Sequence, residues 1–168
     1  VLPHLLPGTS VAFAFLPDAG PSVQQALLEQ GLARVSGRIG NKTCAEGLLA
    51  AESGARTARR GLWADPNFAP LSSENLAGLE AARGHFALVE GRVISVRESG
   101  ATIYVNFGRR WTRDFTVTVL KREQRTFAGA GLDLKQLEGR RIRVRGWIEQ
   151  RGGPIIEAAS PEQIERID

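Results

Sequence analysis

Methionine is absent from the sequence, and cysteine and histidine are rare, with one cysteine, Cys44, and two histidines. A lone cysteine excludes an intrachain disulfide, and no histidine motif accompanies it, so we expect Cys44 to be a buried thiol without a catalytic role. Because even position 1 is not methionine, we expect Val1 not to be the natural N-terminus, as in a mature or trimmed chain. Cysteine usage leaves the compartment open.

Long hydrophobic segments are also missing. The apolar run at residues 11–16 is far shorter than the roughly 20 residues that span a bilayer, so we expect no membrane partner. No basic segment followed by an apolar stretch opens the chain, so a signal peptide is not visible. The fractions of 42% hydrophobic and 24% charged residues are typical of a globular protein.

Positive charge is concentrated in one part of the chain. Residues 83–152 contain fifteen basic and seven acidic side chains, whereas the segments on either side carry a small acidic excess. Nearly all of these basic residues are arginines, whose planar donor groups suit contacts with phosphates and bases. The distribution favours an acidic partner, such as nucleic acid, for the second half.

Helical patterns follow a short strand in the first half of the chain. The expected elements are a strand at residues 11–16, a helix from Ser22 to about Ala33, a helix from Thr43 to about Gly61 and a short helix from Ser73 to Gly84. Ser22 is a good N-cap, and Thr43 with Glu46 has the spacing of a capping box. We expect Trp63 to anchor the end of the second helix, and Arg56 to lie on its solvated face.

The pattern changes to a period of two from Phe86 onward. The expected strands are residues 86–96, 102–107, 115–120, 141–149 and 155–159, with a helical segment at 124–137. The alternation slips near Val93 and Ile94, as a β-bulge would cause. Five strands with a helix after the third have the order of the OB-fold, a small barrel that often binds oligonucleotides. We expect its interior to contain Val89, Val105, Val117, Val144 and Ile148.

The predicted fold class is therefore mainly β with helices (α+β). It comprises a five-stranded OB-type barrel preceded by a partial strand-plus-helices segment. The expected domains are residues 1–66 for that segment, 67–84 for a linker with a short helix, and 85–168 for the barrel.

A candidate nucleic-acid surface is predicted on the barrel. OB barrels bind across the outer face of strands two and three, which here carries Thr102, Tyr104, Asn106, Thr116 and Thr118. Arginines that alternate with an aromatic residue on strand four, and a loop with three arginines around one tryptophan, would add phosphate contacts and stacking. The candidate nucleic-acid-binding residues are Tyr104, Asn106, Arg109, Arg110, Trp111, Arg113, Arg143, Arg145 and Trp147.

These residues also have interpretations without a binding role. Arg143 and Arg145 could lie on a solvated strand face, and Trp111 could pack between domains. The function that we predict is binding of single-stranded nucleic acid without sequence preference. The alternative is a protein-interaction or scaffold module, which would show a weaker dependence on salt.

Two stretches resemble known families. The sequences VQQALLEQGLARV at residues 23–35 and KTCAEGLLAAESGARTARRGLW at 42–63 resemble the C-terminal helical half of the staphylococcal-nuclease (thermonuclease) family, over about residues 8–66. The sequences NFG at 106–108, FTVTV at 115–119, LEGRRIRVRGWIE at 137–149 and SPEQIE at 160–165 are similar to the OB domain appended to some bacterial thermonuclease-like proteins.

The resemblance implies calcium-dependent cleavage of phosphodiesters by carboxylates, a general-base glutamate and two arginines, most of which lie upstream of any residue present here. One further arginine of the family follows a glycine. The corresponding pair here is Gly8-Thr9, so threonine replaces that arginine. Asp18 has no acidic neighbours in the sequence. Losing such a phosphate clamp removes several kcal/mol of transition-state stabilisation. We therefore expect no catalytic residue, metal site or cofactor in this chain, and calcium only if a parent protein has the complete nuclease domain. A second alternative is the C-terminal fragment of a secreted nuclease.

Overall fold

The computed structural model describes residues 14–15, 20–37, 39 and 42–167. The strand predicted at residues 11–16 lies largely outside the described residues, as do Thr9 and Asp18. The chain divides into two compact units. We call residues 1–35 with 39–69 the helical unit, and residues 36–38 with 70–168 the barrel unit.

The helical unit contains α1, which covers Val23–Glu29, and α2, which covers Lys42–Thr57. The predicted N-cap of α1 is confirmed, because the Ser22 hydroxyl accepts a hydrogen bond from the backbone N–H of Gln25 at 3.2 Å. α1 ends before the predicted Ala33, because Gly31 adopts a φ of 71° and turns the chain out of the helix. Short 3₁₀ turns follow α2 at Gly61–Ala64 and Pro66–Phe68.

A buried carboxylate connects α2 to the chain that follows α1. Glu52 accepts hydrogen bonds from the backbone N–H of Val35 at 2.6 Å and from Arg56 Nη1 at 2.9 Å. The Arg56 guanidinium also lies 5.5 Å from the ring centroid of Trp63, which is buried as predicted. The prediction of a solvated Arg56 is therefore wrong, since the buried acid and the indole both hold it. Cys44 is half-buried instead of fully buried.

The barrel unit contains nine strands and two α-helices among the described residues. The strands are β1 (Leu71–Ser72), β2 (Phe86–Arg92), β3 (Ser95–Ser99), β4 (Thr102–Asn106), β5 (Thr116–Leu120), β6 (Arg141–Trp147), β7 (Glu149–Arg151), β8 (Gly153–Glu157) and β9 (Ile164–Arg166). The helices are α3 (Leu76–Ala81) and α4 (Gln124–Gly129), with 3₁₀ turns at Lys121–Glu123, Leu134–Leu137 and Pro161–Gln163. One sheet has the order β1-β2-β6-β9, and the other has the order β3-β4-β5-β8-β7. We call these the first and the second sheet.

Two long strands pass from one sheet to the other and so form the corners of the barrel. Between β2 and β3, the backbone N–H of Val93 donates to the Arg140 carbonyl at 2.9 Å, and that of Ile94 donates to the Asn106 carbonyl at 2.8 Å. The predicted slip in alternation is confirmed as this corner. A similar corner at Ile148 separates β6 from β7. The segments β2–β3, β4, β5, β6–β7 and β8, with α4 after β5, confirm the OB-type order.

One hydrophobic core fills the barrel unit. The five residues predicted for the interior are all buried within it: Val89, Val105, Val117, Val144 and Ile148. Leu79 of α3 and Phe127 of α4 pack into the same core and are fully buried. Strands β1 and β9 were not predicted, because two or three residues are too few to show alternation. No helix in the described part of the chain is long and apolar enough to cross a membrane.

Candidate nucleic-acid interface

The outer face of the second sheet presents rows of side chains that run across its strands. In one row, the register aligns Arg97 of β3, Tyr104 of β4, Thr118 of β5 and Glu157 of β8. Neighbouring strands lie about 4.8 Å apart, so this row spans roughly 14 Å. The Arg97 guanidinium lies at one end of the row, the Glu157 carboxylate lies at the other end, and the Tyr104 ring lies between them.

A groove with a volume of about 700 Å³ lies over this face. All five residues predicted for the outer face of strands two and three line it: Thr102, Tyr104, Asn106, Thr116 and Thr118. Leu120 and Ile155 add apolar surface to the same lining. The groove lining is therefore mixed. It has apolar area on which a ring can stack, and it has polar side chains on the same strands.

Hydrogen bonds fix part of the groove floor. The Thr116 hydroxyl donates to Asn106 Oδ1 at 3.3 Å, and Asn106 Nδ2 donates to Ser95 Oγ at 3.3 Å. Asn106 is thus held in one orientation before any ligand arrives. In contrast, the Thr118 hydroxyl is buried and has no hydrogen-bond partner among residues 42–167 or the other described segments.

The loop between β4 and β5 forms one wall of the groove. The Asp114 carboxylate accepts a hydrogen bond from the backbone N–H of Arg110 at 2.8 Å. This bond links the middle of the loop to its C-terminal end. A Cβ added at Gly153 would lie 2.7 Å from the Asp114 carbonyl oxygen, so the loop packs closely on the β7–β8 turn. Trp111 lies against Gly152 of that turn, yet 70% of it is exposed. The loop therefore holds an accessible indole at the edge of the groove.

Arginines without an ion-pair partner in the described residues lie on the β3 edge of the groove and on the Trp111 loop. Arg109, Arg110 and Arg113 are exposed on the Trp111 loop, and Arg97 is exposed on β3. None of the four forms an ion pair with any residue that the structure describes. Arg151 also lines the groove, but its Nη2 lies 3.0 Å from Glu149 and 3.6 Å from Glu157. The free positive charge is therefore located on the β3 edge and on the loop.

Arg143 and Arg145 do not belong to this surface, and their predicted exposure is wrong. Both lie on β6 in the first sheet. Arg143 pairs with Glu90 of β2 at 2.7 Å and with Glu165 of β9 at 3.0 Å. Arg145 is 1% exposed and also pairs with Glu165. Because acidic residues on the two flanking strands neutralise these arginines, they form a structural ion-pair network.

Trp147 lies on the same strand, outside the groove lining. Its ring makes an edge-to-face contact with Phe86 of β2, with 6.2 Å between the ring centroids. Such cross-strand aromatic pairs stabilise a sheet. The structure thus brings together Tyr104, Asn106 and Trp111, and it leaves out Trp147. The groove also includes Arg97 and Glu157, which sequence analysis missed because their places in this row depend on the pairing of β3 with β4 and of β5 with β8.

Within the described segments, no three histidine, cysteine, aspartate or glutamate side chains come together as metal ligands. Calcium requires several oxygen ligands at one point. The expectation that this chain holds no calcium stays a prediction.

Comparison with known proteins supports the resemblance of the first part of the chain. The family model described as "Staphylococcal nuclease homologue" matches residues 8–65. No curated protein matches the chain. The thermonuclease type of activity and the origin of the barrel as a bacterial appendage stay predictions.

The chain also matches solved structures at low sequence identity. The Stn1–Ten1 complex of S. pombe is 12% identical over 49% of this chain and 57% of that chain, with a TM-score of 0.37. Asparaginyl-tRNA synthetase from Pyrococcus horikoshii is 16% identical over 60% of this chain and 23% of that chain, with a TM-score of 0.42. OBody AM1L10, solved bound to hen egg-white lysozyme, is 18% identical over 52% of this chain and 84% of that one, with a TM-score of 0.36.

This chain spans less than two thirds of the first two of these structures. The OB-type fold rests on the strand order and register of the barrel unit itself. Residues 8–65 are similar to staphylococcal nuclease homologues, and the barrel unit is a mixed α+β domain of the OB type.

Proposed function

We propose that the barrel unit binds single-stranded nucleic acid in the groove over its second sheet. The observation that carries this proposal is the combination of an exposed indole, Trp111, with unpaired arginines around a groove of about 700 Å³. Indole and phenol rings stack on bases of any sequence, and stacking contributes roughly 1–3 kcal/mol per base. Arginines contact the phosphates between the bases.

The groove suits single strands better than a duplex. Its lining includes rings and apolar side chains that need the flat face of an unstacked base, which a duplex does not offer. We expect Arg97 on one edge and the arginines of the Trp111 loop to contact the backbone of such a strand. Because most of these groups recognise features common to all nucleotides, we expect binding that tolerates most sequences.

We further propose that this chain does not cleave the strand that it binds. The proposal rests on Thr9 in place of the family arginine and on the isolation of Asp18 in the sequence. Purified chain incubated with single-stranded DNA and calcium should leave the DNA intact. Cleavage that persists through further purification would contradict this part of the proposal.

The direct test of binding is a titration of a fluorescently labelled single strand with the purified chain, followed by anisotropy, at low and at high salt. We expect saturable binding at low salt that weakens steeply as salt rises, because bound phosphates release counterions on binding. A duplex of the same sequence should bind more weakly. Absence of binding at low salt would refute the proposal.

A protein partner is the second candidate function. Trp111, Leu120 and Ile155 present apolar surface, and tryptophan is a frequent anchor of protein interfaces. Arg151 is also neutralised within the groove by two glutamates. A complex of this kind would depend little on salt. Absence of oligonucleotide binding in the same titration would favour this second function.

A further inference from the structure

Charge is distributed unevenly across the groove. Arg97 stands at the β3 end of the central row and forms no ion pair within the described segments, whereas Glu157 stands at the β8 end. A bound strand would place its phosphates near the Arg97 guanidinium at the β3 edge. Its bases would then extend over Tyr104 and Thr118 toward Glu157. The Glu157 carboxylate would thus face the edges of the bases.

We propose that Glu157 makes the groove prefer bases with an exocyclic amino group, in particular cytosine over thymine; this inference rests on the proposed function. An ionised carboxylate can only accept hydrogen bonds. Cytosine presents an N4 amino donor where thymine presents the O4 acceptor, so the carboxylate attracts the first and repels the second. Both bases are pyrimidines with rings of the same size, so the group at position 4 is a main difference between them.

Glu157 is available for such a contact. Its side chain is 41% exposed, and one oxygen lies 3.6 Å from Arg151, whereas Arg151 approaches Glu149 more closely, at 3.0 Å. A carboxylate can accept several hydrogen bonds, so the Arg151 contact leaves capacity for a ligand.

The test compares two homopolymers, oligo-dC and oligo-dT, about ten nucleotides long, which one OB barrel can cover. Each is labelled and titrated at neutral pH with the unmodified chain and with the variants Glu157→Gln and Glu149→Gln. The second variant is the matched control, because it removes the same charge from the other partner of Arg151, at a position outside the groove lining.

We expect the unmodified chain to bind oligo-dC about fivefold or more tightly than oligo-dT. Glu157→Gln should bring this ratio close to one, chiefly by strengthening oligo-dT binding, because the glutamine amide can donate to the thymine carbonyl. Glu149→Gln should change both affinities by similar factors and keep the ratio. Equal affinities in the unmodified chain, or a ratio that survives Glu157→Gln, would overturn this inference alone. Failure of both homopolymers to bind would overturn the proposed function with it.

Discussion

Replacing Trp111 with alanine tests whether the ring of this residue contributes to binding in the groove. The ring is 70% exposed and lies against the Gly152 turn, so its removal should disturb the fold little. Surface substitutions of this kind change the free energy of unfolding by about 0.5 kcal/mol or less. The variant therefore isolates the contribution of the ring to binding.

The expected loss follows from stacking on one base. Stacking on an aromatic side chain contributes roughly 1–3 kcal/mol, and each 1.4 kcal/mol changes the dissociation constant about tenfold. Trp111→Ala should therefore weaken binding of a single strand by about fivefold to 150-fold. Trp111→Phe should recover part of the loss, because the smaller ring still stacks.

Anisotropy titration with one labelled oligonucleotide at low salt measures these changes, and thermal unfolding verifies the fold of each variant. Trp147→Ala is the matched control: it also removes an indole, but one that contacts Phe86 in the first sheet. We expect Trp147→Ala to lower stability and leave affinity unchanged. Unchanged affinity in Trp111→Ala, or an equal loss in both variants, would refute the assignment of the groove.

Two further predictions concern stability. Glu165→Ala should lower the free energy of unfolding by about 3 kcal/mol, measured by urea denaturation, because it removes the carboxylate that pairs with buried Arg145; a loss below about 1 kcal/mol would contradict a structural role. Hydrogen bonds from Lys135 and Lys121 hold the pKa of the Glu98 carboxyl below its ordinary value. This interaction stabilises the fold above the unfolded-state pKa of about 4.3, and the stabilisation disappears as the pH falls through the lower folded-state pKa. Glu98→Gln should therefore reduce the difference in urea midpoint between about pH 6 and about pH 3; an unchanged difference would show that the contacts do not persist in solution.

The sequence predicts the barrel well because its determinants are local. The alternating residues of β4 and β5 establish which positions face the core, and the slip at Val93 and Ile94 marks the corner between sheets. The same alternation places Tyr104, Asn106 and Thr118 on the face that the groove covers. Local periodicity is therefore sufficient to locate both the core and the centre of the candidate site.

The errors at the candidate site come from pairing between segments that are separated in the sequence. Arg143 and Arg145 have the alternation of an exposed face, yet Glu165 of β9, which is far along the chain, neutralises them. A strand of three residues gives no periodic signal, so neither β9 nor its ion pairs could be predicted. Glu157 was missed for a related reason, because its alignment with Tyr104 depends on the parallel pairing of β5 with β8.

The salt dependence of binding tests the central claim most directly, when it is measured on the unmodified chain and on two paired variants. Arg109→Gln with Arg113→Gln removes two exposed cations from the Trp111 loop, and Arg125→Gln with Arg141→Gln removes two exposed cations from α4 and β6. Each single-strand phosphate contact contributes a slope of about 0.7 to the plot of log affinity against log salt. The loop variant should lower the slope by up to about 1.4, and the control variant should leave it unchanged. Equal slopes for the loop variant and the unmodified chain would contradict nucleic-acid binding at this groove.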